Sequence, residues 1–156
     1  MLVVKSNIPT ISSVKPYSPL ELEGRDIYIR EGCNNCHSQM IRPFRSEVKR
    51  YGEYSKSGEY VYDHPFLWGS KRTGPDLHRI GEKYNDNWHF NHMWSPQRMN
   101  EQSIMPAYKW LYDNKAMDHS LIEKKMEVMV TLGVPYTKSE IGQILLNTEW
   151  IATNPD

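Results

Sequence analysis

Nowhere does this chain string together the ~18 apolar residues that a membrane helix needs, and the opening Met1-Leu2-Val3-Val4 is too short to be the core of a signal peptide. As written, it reads as soluble and carries no address. Net charge is missing too: 19 Lys and Arg balance 19 Asp and Glu, which argues against a nucleic-acid binder held by its overall field. The balance fails only locally. Residues 42–83 carry nine basic and six acidic side chains, and residues 113–156 four and seven, an asymmetry that suits partner orientation or an ordinary solvated surface. There is no internal repeat, and 156 residues suit one domain with a core of moderate size. Cysteine is scarce, with two in the whole chain.

Both fall in Cys33-Asn34-Asn35-Cys36-His37, a covalent haem-c attachment signature. The spacing has a chemical reason. Each thiolate forms a thioether to one haem vinyl group, and the histidine that follows turns a ring nitrogen onto the iron, so one short segment anchors the porphyrin and supplies an axial ligand. A redox dithiol would expect a βαβ pattern around the pair, which is absent. A structural zinc site would want four ligands, and with no second Cys pair it would have to recruit two scattered histidines. One haem uses all the motif residues and would enlarge the core considerably. Covalent haem c is normally attached outside the cytoplasmic membrane, so this reading expects an export or membrane segment removed from, or never part of, this stretch of polypeptide.

The pattern along the chain is mostly helical. Residues 5–17, with Pro9 and Pro16, read as an extended lead-in. Ser18-Pro19-Leu20-Glu21 is a capping box with proline at the first helical position, predicting a helix to about Gly32 that delivers the chain into the haem motif. Gly24 and Tyr28 share one of its faces, where a glycine permits close approach of another helix. Residues 38–72 form an aromatic-rich insertion, with too many aromatics to be disordered. In it, alternation through Glu59-Tyr60-Val61-Tyr62 suggests a small hairpin or an ordered loop. Further helices are expected over Asn85–Trp94, briefly over Pro106–Tyr112, from an Asp118 cap to Gly133 and Pro135, and from the capping box Thr137-Lys138-Ser139-Glu140 to about Ile151.

An iron held by His37 needs a sixth ligand, for which eight methionines and five other histidines compete. Met40 is too near His37 to reach the opposite side of the ring. Met105 is the choice, because Pro106 biases it toward extended backbone and gives its side chain a defined direction. Met126 and Met129, within a helix, read as core packing. Met93 and Met99 are weaker candidates, and His89 or His92 would make a bis-histidine site. Between the two ligands lies Gly74-Pro75-Asp76-Leu77, where Pro75 has a carbonyl but no N–H and can accept the His37 ring proton, orienting the ligand and strengthening its donation. Arg42, Arg45, Lys71 and Arg72 are the cations best placed in sequence for the haem propionates, with solvated surface charge an equal reading for each. Trp68, Trp88, Trp94 and Trp110 suit the haem pocket and the core equally.

In order, the first helix, Cys33–His37, Gly74–Leu77 and Met105-Pro106 resemble a class I cytochrome c. The longer wording is more specific: Cys36-His37-Ser38-Gln39-Met40-Ile41-Arg42-Pro43-Phe44-Arg45, Trp68-Gly69-Ser70-Lys71-Arg72-Thr73-Gly74-Pro75-Asp76-Leu77 and Ser103-Ile104-Met105-Pro106-Ala107-Tyr108 resemble the mono-haem subunit of cbb3-type cytochrome c oxidases. The likeness runs from about Leu20 to Tyr136. It implies a helical cytochrome c domain over 18–152, preceded by a lead-in over 1–17 and followed by a tail over 153–156, with one covalent haem c. The implied role is an electron wire on the periplasmic side of the bacterial membrane. Such a subunit takes electrons from a di-haem cytochrome subunit or another c-type donor and passes them to the haem b and haem-copper centre of a catalytic subunit. It is not an enzyme by itself and binds no nucleic acid. The family's N-terminal membrane helix is missing from the chain, so membrane contact would come only through that anchor or partner subunits, and family members usually extend past residue 156. A gas-binding or sensing haem domain is the rival function; a peroxidase is disfavoured because two protein ligands leave no reaction site on the iron.

Overall fold

The computed structural model describes residues 8, 9, 11–69, 71–113 and 119–141. The described residues are helical with no strand, in line with the expected class. They fall into two compact units: Met1–Cys33, Lys56–Leu67 and Met117–Asp156 form the first, Asn34–Ser55 and Trp68–Ala116 the second.

In the first unit, α1 runs over Pro19–Arg30 and starts where the capping box puts it. The Glu21 N–H donates to Ser18 Oγ at 3.3 Å, and the Ser18 N–H to a Glu21 carboxylate oxygen at 2.7 Å, satisfying two otherwise orphaned donors. The chain leaves the helix at Gly32, whose φ of 71° suits glycine. The long helix His119–Thr131 ends at Gly133, which has φ 97°. It buries Ile122, Met126 and Met129, spaced at i, i+4 and i+7, against Leu22 of α1 and Val134. Each such side chain contributes roughly 1.5–3 kcal/mol on full burial. Lys125 joins the same two helices by ion pairs to Glu23 at 2.8 Å and Asp26 at 2.7 Å. Among the described residues nothing lies within 4 Å of a Cβ built on Gly24, so this contact does not use the glycine. A helix opens at residue 138, where the Glu140 N–H donates to Thr137 Oγ1 and the Thr137 N–H to the Glu140 carboxylate. Its expected course beyond residue 141 lies outside the described residues, as do Asp118 and residues 1–7 and 10.

The alternating stretch near Tyr60 is an ordered turn. Ser57–Tyr60 form a 3-10 turn, closed by the Lys56 N–H donating to Glu59 Oε2 at 2.8 Å. Tyr60 is buried, and a Cβ on Gly58 would come within 2.2 Å of the Pro9 carbonyl. Tight local packing outweighs the alternation.

The described residues of the second unit hold three α-helices: α2 over Arg45–Tyr51, α3 over Asp86–Trp94 and α4 over Pro96–Met99; in chain order the long helix of the first unit is α5. Asn85 caps α3 by accepting the Trp88 N–H at 2.8 Å, as the chain pattern suggests. A 3-10 turn, Lys109–Tyr112, packs on α3, with the Tyr112 hydroxyl donating to the Phe90 carbonyl. The buried described residues of this unit are Ser38, Ile41, Glu47, Asp76 and Pro96, so its interior is largely polar.

Candidate haem-binding site

Cys33–Asn35 form a 3-10 turn directly after the cap of α1. Cys33, which ends the first stretch of the first unit, is half-buried and Cys36 is exposed. Cys36, His37, Pro75, Met105, Arg42, Arg45 and Arg72 all belong to the second unit.

The His37 ring is fixed from two directions. Its Nδ1–H donates to the Pro75 carbonyl at 2.7 Å, which places the remaining lone pair on Nε2, the kind of atom that ligates iron. Gly74 lies against the ring: a Cβ there would stand 2.3 Å from His37 Cε1 and 2.8 Å from Nε2. Only glycine leaves the ring where it is. Backbone pairing holds the two segments together, since the Gly74 N–H donates to the Cys36 carbonyl and the Leu77 N–H to the Ser38 carbonyl, both at 2.9 Å. Behind them the Gln39 N–H donates to the Trp68 carbonyl at 3.1 Å, and a Cβ on Gly69 would meet the His37 carbonyl at 3.2 Å.

The three arginines expected near the propionates differ. Arg72 gives its guanidinium to protein acceptors: Ser38 Oγ at 2.6 Å, the Met40 carbonyl at 2.8 Å and Glu47 Oε2 at 2.8 Å. Glu47 also accepts from the backbone N–H of Arg42 at 2.8 Å and from its guanidinium. The Arg72 hydrogen bond, then the two from Arg42, hold the buried Glu47 carboxyl down at about 2. Arg42 still exposes about half its side chain, and Arg45 is exposed on α2.

Met105 is half-buried in a non-helical segment that is tied down by side-chain bonds. Gln97 donates to the Met105 carbonyl at 2.8 Å and the Ser103 carbonyl at 3.0 Å, while the Met105 N–H donates to Ser103 Oγ at 3.3 Å. Of the rival methionines, Met93 is also half-buried in the second unit, on α3, where its carbonyl accepts the Tyr108 N–H at 2.8 Å, and the others are placed differently. Met40 lies in the His37 ladder, Met99 is exposed on α4, and Met126 and Met129 are in the first unit's core. The rival histidines sit on α3 around Trp88, where His92 stacks on the indole at 4.6 Å and His89 meets it edge-on at 5.2 Å. Burial, then the charges of His37 and His89, depress the His92 pKa. Its Nδ1 is buried with no hydrogen-bond partner among the described residues. Of the other tryptophans, Trp94 and Trp110 are exposed, with Lys109 Nζ 5.6 Å from the Trp94 ring centroid.

A family described as "Cytochrome C oxidase, mono-heme subunit/FixO" matches residues 1–154. The chain belongs to this family. It is therefore a mono-haem subunit of cytochrome c oxidase, an oxidoreductase complex in which it serves electron transport beside other oxidase subunits. No curated protein matches the chain. Among the described residues no helix is long and apolar enough to cross a membrane.

The residues present fit one haem. Gly74 keeps a face of the His37 ring clear of any Cβ, Pro75 takes the Nδ1 proton, and the buried Nδ1 of His92 marks a polar group of the same unit awaiting a partner. The features that the sequence reading passed over are Gly69, Ser38, Asp76 and Glu47. Gly69, Ser38 and Asp76 stand inside the quoted family wording, which is their only signal. The ties of Glu47 to Arg72 and of Ser38 to Asp76 span 25 and 38 positions and leave no local pattern.

Proposed function

We propose that Cys33 and Cys36 would hold the haem as thioethers and that His37 Nε2 and the Met105 sulfur would ligate its iron. This subunit relays electrons from a di-haem cytochrome subunit or another c-type donor to the haem b and haem-copper centre of the catalytic subunit, on the periplasmic side of the membrane, and reduces no oxygen itself. The observation that carries this reading is the His37 ring, set directly after the cysteine pair, with Nδ1 held by Pro75 at 2.7 Å.

When bound, a haem with two protein ligands supplies one-electron chemistry with no vacant position for substrate. The chain's own residues do the rest. Pro75 fixes the tautomer of His37 and raises its basicity as a donor. Gly74 and Gly69 allow the backbone to close behind the ring. Gln97 and Ser103 hold the backbone of Met105, so that the choice of a thioether donor, which favours the reduced state, is built into a fixed loop. With Arg72 given over to protein acceptors, propionate contacts fall to Arg42, Arg45 and Lys71.

The test is a pyridine haemochrome spectrum of protein matured in an exporting host, followed by Met105→Ala. A c-type spectrum is expected in both proteins, with a lower midpoint potential in the variant. A variant that keeps the wild-type potential and the sulfur-to-iron absorption band removes Met105 from the ligand set. Rapid carbon monoxide binding to the reduced wild type at neutral pH would replace the relay with a gas-binding role.

A further inference from the structure

We propose that Asp76 is a positioning residue for His37: its buried carboxylate, acting with Ser38 and Arg72, locks the Pro75 carbonyl onto His37 Nδ1. The inference rests on the reading of His37 as the haem ligand and names what holds that ligand in place.

The Asp76 side chain is 0 % exposed. One carboxylate oxygen accepts the Ser38 hydroxyl at 2.5 Å and the Met40 N–H at 2.8 Å; the other accepts the His78 N–H at 2.9 Å. Arg72 Nη2 stands 3.7 Å away. The carboxylate thus grips the chain one and three residues after His37. Asp76 is also joined to Pro75 by the peptide whose carbonyl meets His37. That unit is planar, so fixing Asp76 fixes the direction of the Pro75 oxygen.

The direction of the hydrogen bonds is determined by chemistry. Arg72 can only donate and an ionised Asp76 can only accept. Ser38, which receives Arg72 Nε–H at 2.6 Å, must therefore spend its single proton on Asp76. The chain Arg72 to Ser38 to Asp76 has one orientation, and an amide in place of the carboxylate would set N–H against N–H at one of its contacts. Backbone pairing alone, through Gly74 to Cys36 and Leu77 to Ser38, brings the segments together. The side-chain lock sets the angle at which the Pro75 oxygen meets the ring.

The experiment uses reduced, haem-loaded protein and compares wild type, Asp76→Asn and Ser38→Ala. The readouts are solvent exchange of the His37 Nδ1–H by nitrogen-15 NMR, the midpoint potential, and the pyridine haemochrome. Exchange is expected about tenfold faster in Asp76→Asn, the size set by losing one well-made buried hydrogen bond. The potential should move positive, because a loosened proton acceptor on Nδ1 weakens histidine's donation to iron. Removing a negative charge would also raise the potential, so the uncharged Ser38→Ala substitution must move both readouts in the same direction by less. If Asp76→Asn fails to accumulate, Ser38→Ala and Arg72→Lys decide by the same two readouts. Variants that lose thermal stability while exchange and potential stay at wild-type values overturn the lock and leave Asp76 merely structural. A wild type without a c-type haemochrome overturns the haem reading itself, which is a separate result.

Discussion

Leu22, Ile122, Met126, Met129 and Val134 give the first unit a contiguous apolar core, with Arg25 and Asp63 buried besides, whereas the second has no such cluster among its described residues and buries Ser38, Glu47 and Asp76 beside Ile41 and Pro96. The two interiors differ in the share of apolar packing, since both hold buried charges. Apolar burial is non-directional and accumulates with area. A buried charge network contributes little net energy, because desolvation consumes most of the attraction, yet it fixes angles and fails sharply when one partner is lost. The first unit is built to be stable and the second to hold a histidine at a set angle. No residue of α3 is buried, and Trp88 and His92 stack on one another half-exposed.

The largest break in this comparison is loss of the haem. Protein carrying both Cys33→Ala and Cys36→Ala is expected to lose hydrogen-exchange protection through the second unit, over residues 84–112, while α1 and α5 keep theirs. A tightly held cofactor stabilises the state that binds it by roughly 4 kcal/mol or more, a thousandfold or more in protection. Mass-spectrometric exchange on the variant and the haem-loaded wild type measures it. Equal loss in both units would mean that the apolar core also depends on haem.

Next in size is Glu47→Gln, which leaves Arg72 and Arg42 buried or half-buried beside a neutral partner. Breaking a buried ion pair costs roughly 3–5 kcal/mol, read from the urea midpoint of the haem absorption. The pH dependence sharpens the same point. The Glu47 carboxyl is depressed from 4.5 to about 2 in the folded protein, so its contribution is fully present above 4.5 and is lost as pH falls toward 2. Acid should therefore loosen the second unit across that window, and Glu47→Gln should flatten the dependence. An unchanged acid profile in the variant would take Glu47 out of the acid response.

The same contrast explains what could be read from the chain. Ser18-Pro19-Leu20-Glu21, Asn85 and Thr137–Glu140 announce helix starts because caps act within four residues. The pairing of Pro75 with His37 follows from a residue that can accept but not donate, and the two atoms do stand 2.7 Å apart. By contrast, α2 carries no capping side chain at Phe44, and its Glu47 is buried by Arg72 from 25 positions away. No local signal reports such a tie. Arg72 reads in the sequence equally as a propionate contact or a solvated surface charge for the same reason, as its acceptors are assembled only by the fold.

The smallest effect lies on the first unit's surface and tests the other half of the comparison. Lys125 bridges Glu23 and Asp26 at 2.8 and 2.7 Å, geometry as good as that of Arg72 with Glu47, but all three side chains are about a quarter to a third exposed. Water screens the pair, and long side chains lose entropy in forming it, so such bridges contribute at most about 1 kcal/mol. Lys125→Ala should shift the urea midpoint of far-ultraviolet dichroism slightly and leave the haem spectrum alone, with the shift shrinking further in 1 M salt, where the Debye length is about 3 Å. A loss as large as that of Glu47→Gln would mean that charge, and not apolar burial, joins α1 to α5, and the distinction between the two interiors would fall.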